Sequence, residues 1–449
     1  MFGTCARLGP QPLREGEITL SWFRSTFYAL DNGRYRILWF GTLFSFLGMQ
    51  MQVVARGYLA YDLTGKNSAL GAVMIAFGIP QLVLGLWGGV LADRLPKRNL
   101  LLVCQMIIAL NSAWVATMIE LDRIEFWMLV VAGFVQGAGF AFVGPARQAF
   151  IGDLVDRSAI GNAVVLQQLS MNSTRVVGPS LAGAFIAISF IGIGGVYYMT
   201  TLGFFLATFT MLRLPPGHPK PRDKKVSPLA DMADGVRYVK QRPSITLLVM
   251  TSFAVIMVGF PYQSFLPSVA KDVYGAGSGG LGALQSFGAV GAVVATLLVA
   301  SYAQSKRAWA AQPLLAIAFG GSLVGLGLAP NIWFGLVAMV AVGGLAGGFQ
   351  GVNNALTMSS TESDYQGRVQ SISMLSWSLF GLFAWPIGIL ADRIGIQETL
   401  ILMGGVVMAS VAILQVFGRT EAVSADRRER ANALDRPPAD VAGAPAGGR

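Results

Sequence analysis

Stretches without a single charged residue recur along the whole of this chain, and many are long enough to cross a bilayer at about 20 residues each. In hydrocarbon every backbone polar group must be satisfied within the protein, so only helices or a closed barrel can span it. A barrel strand alternates apolar and polar residues, and these runs do not alternate. Of the 449 residues 54% are hydrophobic and 12% charged, whereas a soluble domain carries about twice that charged fraction. The fold class expected is an all-α membrane protein with twelve transmembrane helices in two six-helix halves. Residues 1–36 read as an N-terminal tail, 37–212 as the first bundle, 213–243 as a linker, 244–418 as the second bundle and 419–449 as a disordered tail. The linker holds eight Lys or Arg against three Asp, and its Pro228–Gln241 portion reads as an amphipathic helix at the membrane surface. An internal echo supports two halves: Gly144 to Pro179 and Gly351 to Pro386 each span 35 positions, and each joins a span end, a polar loop and a span interrupted by proline.

The net charge of +10 reflects basic residues kept in loops on one side, not nucleic-acid binding. Arg94, Lys97, Arg98, Arg147, Arg157, Lys306 and Arg307 join the linker cations on that side, against Lys66, Arg123, Lys271 and Arg393 on the other. The positive-inside rule then predicts both termini in the cytoplasm and a multi-pass protein of the plasma (inner) membrane. The first 35 residues are polar and irregular, so no cleavable signal is expected. Cys5, Cys104 and His218 are scattered, which predicts no disulfide, metal or cofactor. With no G-x-x-x-x-G-K-[ST] loop and no cluster fit for general-base chemistry, the chain does not read as an enzyme.

Ionisable side chains inside a span must face protein or water. Ser45, Met49, Gln52 and Arg56 share one helical face, and Gln168, Asn172 and Arg175 share another, with Pro179 removing the hydrogen bond to the Arg175 carbonyl. Both stripes are expected to line a water-filled cavity; the competing reading ties each arginine to backbone carbonyls or an interface. Gln136, Tyr262, Gln263, Gln285, Gln350, Asn353, Asn354 and Trp377 are further cavity candidates, as polar points in an apolar pocket. Every Asp and Glu lies in a loop, a tail or at a span end. Buried arginines without buried acids favour a neutral or anionic solute over a cation.

Between the second and third apolar runs lies Gly88-Gly89-Val90-Leu91-Ala92-Asp93-Arg94-Leu95-Pro96-Lys97-Arg98. It resembles the G-x-x-x-D-R-x-G-R-R loop of the major facilitator superfamily, with Pro96 in place of the usual glycine. Leu63-Thr64-Gly65, Gly144-Pro145-Ala146-Arg147, Asp153-Leu154-Val155 and Gly367-Arg368-Val369 are similar to the branch containing the enterobactin exporter and related drug and macrolide exporters. Gly178-Pro179-Ser180-Leu181-Ala182-Gly183 is similar to the antiporter motif G-P-x-x-G-G. Of the span-4 motif R-x-x-Q-G only Gln136-Gly137 are present, Gly133 standing for the arginine. The resemblance implies a secondary transporter working by alternating access, exporting a drug, siderophore or metabolite. Importing a small organic anion, or serving as a non-transporting receptor or scaffold, are the alternatives. The implied partners are membrane lipid, a small-molecule substrate and a proton or other ion gradient, with the protein a monomer. The implied gate is Gly89, Asp93, Arg94, Arg98, Arg147, Asp153, Gly178 and Pro179. Asp93 is expected to accept hydrogen bonds from backbone N–H groups around Gly367 to Val369, and Arg94 and Arg98 to pair with Asp153 or Asp156. Leu390-Ala391-Asp392-Arg393 repeats Leu91-Ala92-Asp93-Arg94 after span 11, on the opposite side, and reads as a weak echo.

Overall fold

The structure is a computed structural model describing residues 27–156, 159–188, 190–217, 228–300, 307–362 and 365–434. After a short 3-10 turn at Tyr28–Asp31, the first half comprises α1 (Gly33–Thr64), α2 (Asn67–Arg94), α3 (Lys97–Glu120), α4 (Phe126–Leu154), α5 (Ile160–Ala187) and α6 (Gly192–Leu212). The linker helix is α7 (Pro228–Gln241). The second half comprises α8 (Pro243–Val273), α9 (Gly277–Ala300), α10 (Ala308–Gly327), α11 (Ile332–Ser360), α12 (Gln366–Ile394) and α13 (Ile396–Leu434). Eleven of these are long and apolar enough to span a membrane; α5, which carries Gln167, Gln168 and Arg175, takes the remaining place in a twelve-span order.

Local chemistry sets the boundaries. The Asn32 side chain accepts from the backbone N–H groups of Arg34 and Tyr35 at 3.0 and 3.3 Å, starting α1. Gly65 ends that helix with φ of 63°, the left-handed conformation glycine adopts without strain. Within α8 the helix widens to π-type turns at Val255–Gly259 and Val269–Val273, around Pro261 and Pro267, which lack the N–H that would close a regular turn. The last helix does not stop where a tail was expected at Arg419 but runs on to Leu434. The stretch is rich in Ala, Arg and Glu, good helix formers that need no apolar face, so the absence of such a face argued only against burial.

The halves meet along two seams, α2 against α12 and α5 against α9. We call the end carrying Arg94, Lys97 and Arg98 the basic end and the opposite one the distal end. Glycines make the seams close. A methyl group on Gly183 would lie 2.2 Å from the Cα of Gly282, and one on Gly71 would lie 2.4 Å from the Cα of Trp385. The largest buried apolar cluster joins the halves toward the distal end, packing Val54, Tyr61 and Val73 together with Phe260, Phe265 and Leu284. Among the described residues, the clusters at the basic end each stay within one half. Helix α7 rides on the second half: Tyr238 stacks on Tyr365 with ring centroids 4.1 Å apart, and Asp234 pairs with Arg368 at 3.1 Å.

Overpacking a close seam costs about 1–3 kcal/mol. Gly183→Leu should therefore lower the thermal unfolding midpoint of purified protein by several degrees. Gly144→Ala, where nothing lies within 4 Å of the added methyl, should leave it unchanged or raise it.

Candidate functional site

The polar stripe on α1 faces α4, inside the first half. Arg56 donates through Nη2 to Gln136 Oε1, and Gln136 Nε2 donates to Gln52 Oε1 at 2.9 Å. Nearer the basic end, Arg147 Nη2 donates to Ser45 Oγ at 3.0 Å, with its guanidinium 5.1 Å from the Phe46 ring centroid. Gln52 and Gln136 are 0% exposed and Arg56 is 2% exposed. These residues do not line an open cavity, which differs from the expectation. The reason is energetic: an unpaired buried polar group costs about 1–3 kcal/mol, so the α1 stripe takes its hydrogen bonds from α4, although Gln52 Nε2 and Arg56 Nε stay unpartnered among the described residues.

The position where the span-4 motif carries an arginine is also accounted for. A methyl group on Gly133 would lie 3.1 Å from Arg56 Nη1. The guanidinium of Arg56, arriving from α1, thus sits beside the missing side chain. The second half has a comparable internal tie, Gln312 Nε2 donating to Asn353 Oδ1 at 3.0 Å between α10 and α11. Tyr262 packs into the core, its ring 6.1 Å from that of Phe319.

Arg175 behaves differently. It lies near the middle of α5, is exposed, and holds its guanidinium 5.1 Å from the Trp377 ring centroid on α12. Because α5 seals against α9 and α12 against α2, a contact from α5 to α12 crosses the space between the halves. Trp377 is itself fixed edge-on to Phe260, with centroids 5.2 Å apart. Gln168 and Gln263 are exposed, and Gln285 and Gln350 are half-buried. The side chain of Asn172 lies outside the described residues.

At the basic end α2 runs through Gly89 and Asp93 to Arg94, which is exposed; the side-chain surroundings of positions 89 and 93 lie outside the described residues. The expected pairing of Arg94 or Arg98 with Asp153 is corrected. Lys97 takes Asp153, Nζ to Oδ2 at 2.7 Å, with both side chains buried. Arg98 instead donates from Nη1 to the Leu214 carbonyl at 3.0 Å and from its backbone N–H to the Pro216 carbonyl at 3.2 Å. With Pro96 opening the helix, Lys97 is the first residue of α3 and turns toward the end of α4, leaving Arg98 facing the segment after α6. Gly178 brings α5 against α1, since a methyl there would lie 2.5 Å from the Gln50 Cβ. Pro179 is half-buried beside it.

The distal end holds contacts that sequence reasoning passed over. Tyr61 donates to Asp272, Lys271 Nζ lies 2.7 Å from Asp62 Oδ1, and Asp392 accepts from the backbone N–H groups of Asn67 and Ser68 at 2.6 and 3.0 Å. Each joins one half to the other. They surround a cleft of about 720 Å³ lined by Tyr61, Lys66, Asp272, Asp392 and Glu398. Being at span ends, these groups read as ordinary loop charges; the repeat at Leu390–Arg393 was the available signal.

Over residues 24–448 the sequence matches the family described as transmembrane secretion effectors. The chain belongs to that family, within the major facilitator superfamily. It is 25% identical to the staphyloferrin A transporter of Staphylococcus aureus over 360 residues, covering 78% of this chain and 86% of the relative. It is 22% identical to macrolide efflux protein A of Streptococcus pyogenes over 384 residues, 84% of this chain and 93% of that protein. It is 25% identical to the multidrug efflux pump Tap of Mycolicibacterium fortuitum, at 86% and 95% coverage. Among solved structures, the nucleoside transporter NupG superposes with a TM-score of 0.69 at 12% identity, covering 85% of this chain and 99% of that one. A bacterial homologue of the human lysosomal transporter Spinster, inward-facing and unoccupied, gives 0.68 at 15% identity, with 88% and 97% coverage. The protein is therefore a multi-pass secondary transporter for a small molecule, not an enzyme.

Within the α1–α4 tie, Gln136→Leu removes the carbonyl that accepts from Arg56 and leaves its buried guanidinium the Phe77 ring face, 5.9 Å away. A hydrogen bond to a charged group is worth about 1.5–3 kcal/mol, so this variant should lose stability on that order in thermal unfolding. Arg56→Met combined with Gln136→Leu should recover part of the loss, because no charge is then left without its partner.

Proposed function

We propose that this transporter is a secondary active exporter of a small neutral or anionic organic solute, such as a drug, siderophore or metabolite. It sits as a monomer in the plasma (inner) membrane and works as an antiporter driven by a proton or other ion gradient. The observation that carries the reading is the Arg175–Trp377 pair. A guanidinium near mid-span, exposed between the halves and stacked on an indole from the opposite half, offers charge and an aromatic face to one solute. Every acid of the sequence lies away from the span centres, which supports a solute lacking positive charge. The efflux named for two of the relatives supports the outward direction.

The basic end is the cytoplasmic one, and both termini lie there; Arg94, Lys97, Arg98, Arg147, Arg242 and Arg307 against Lys66, Arg123, Lys271 and Arg393 support this by the positive-inside rule. In the arrangement described, the apolar core bridges the halves at the extracellular side and divides at the cytoplasmic side. Rocking about the seams closes one side as it opens the other. Asp93, Arg94 and Gly89 serve the cytoplasmic gate at the tip of α2. Lys97–Asp153 and Arg98 hold α3 to its own half, so that the loop moves with the bundle. Arg147 fixes the basic end of α1 to α4. Gly178 and Pro179 set the close passage of α5 past α1.

The test is counterflow in proteoliposomes with a panel of siderophores, drugs and organic acids, with and without a pH gradient. Arg175→Ala should raise the half-saturating concentration of a transported anion by about tenfold or more, the worth of a charged hydrogen bond, while the protein stays monodisperse. Concentrative uptake in cells would favour the importer. Movement of no compound in either direction would favour the receptor or scaffold.

A further inference from the structure

The repeat at Leu390-Ala391-Asp392-Arg393 has an occupation of its own. Helices α2 and α12 run antiparallel along one seam, so each ends beside the start of the other. The close pairs show the register: Gly71 against Trp385, Gly381 against Met74 and Ile75, Gly388 against Asn67 and Ser68. At the distal end Asp392, the acid near the end of α12, accepts from the backbone N–H groups of Asn67 and Ser68, the first two residues of α2. Those N–H groups have no partner within their own helix and carry its positive dipole end, so a carboxylate there is held by charge as well as by hydrogen bonds. Lys66, at the cap position, contributes no side-chain hydrogen bond to α2. The capping group of this helix therefore comes from the other half of the molecule. Asp392 lies four residues past Gly388, which is level with Asn67 and Ser68; carried to the basic end, position 93 of α2 lies likewise four residues past the position level with Gln366 and Gly367, the first two residues of α12.

We propose that Asp392 is the latch of the distal face, the reciprocal of Asp93 on the basic face, with each helix of the α2–α12 seam ending in Leu-Ala-Asp-Arg and capping the start of its neighbour. This rests on the transporter reading above and deepens it. Rocking that opens the distal side must pull Asp392 off α2 and leave two N–H groups for water. Because the helices are stiff and antiparallel, the two caps sit at opposite ends of one lever. The neighbouring ties Tyr61–Asp272 and Lys271–Asp62 join side chains; the Asp392 cap joins a side chain to the backbone, so no substitution at Asn67 or Ser68 except proline removes a donor.

The experiment measures distances in the full chain, with Cys5 and Cys104 replaced by serine and alanine, using spin labels and no solute. One label pair, at Leu121 and Leu328, reports the distal gap. A second, at Leu212 and Phe417, reports the basic gap; all four positions are exposed and lie on opposite halves within each pair. An N-cap contact of this kind is worth about a tenfold shift in an equilibrium. Asp392→Ala should shift the population about tenfold toward a longer distal and a shorter basic distance. Asp93→Ala should move both distances the opposite way. If Asp392→Ala does not yield folded protein, Asn67→Pro is the second variant. Lys66 has φ −121° and ψ 133°, as a residue before proline requires, and proline is tolerated at the first helical position. It deletes one donor to Asp392 while keeping the carboxylate, and should lengthen the distal distance as well. Unchanged distal distributions in Asp392→Ala and Asn67→Pro would overturn the latch. A shift in Asp392→Ala with none in Asp93→Ala would overturn the reciprocity. Since no solute is present, these outcomes are separate from the counterflow result, and either can fail alone.

Discussion

A guanidinium has few places to go inside a bilayer, and the layout of this protein depends on where its arginines are allowed to sit. Leaving water is expensive for a permanent cation, so each must find a hydrogen-bond acceptor, an aromatic face or an aqueous space. Arg56 takes a glutamine on α4, Arg147 a serine and a phenylalanine ring, and Arg175 the indole of the opposite half. The first two solutions lock helices together within a bundle. The third reaches across the molecule, and only that one leaves a charge available to something that comes and goes.

The close seams obey the same economy. Apolar side chains gain nothing by leaving lipid for protein, so bundles cohere through backbone proximity and shared polar contacts. Glycines at 71, 183, 282, 381 and 388 let the halves touch backbone to backbone. The polar ties of the distal side lie at span ends, where water can replace them when they part. A seam built from tight glycine contacts and exchangeable end contacts can roll without stripping a buried charge of its partner.

Twelve helices, two halves, the linker helix and the mid-span arginines were legible because a single property, the charge-free run, reports directly on the bilayer. Which way each stripe faces was not. Ser45, Gln52 and Arg56 share a helical face whether that face meets a cavity or α4, and only the position of the neighbour decides. Tyr262 turns into the core for a different reason. Counting at 3.6 residues per turn fails along α8, where π-type turns at Val255–Gly259 and Val269–Val273 rotate the residues beyond them. The pairing of Asp153 with Lys97 in place of Arg98 turned on one residue of helix phase, set by Pro96. The distal ties were hidden because an acid at a span end is what solvation alone would leave there.

Gly133 carries a consequence for what α4 can accommodate. Its bare Cα and the guanidinium of Arg56 occupy adjoining space, so that site holds one cation, delivered from α1. Placing an arginine on α4 at 133 would crowd two like charges into a slot sized for one. An arginine can be carried at 133 only in a chain that gives up the one at 56.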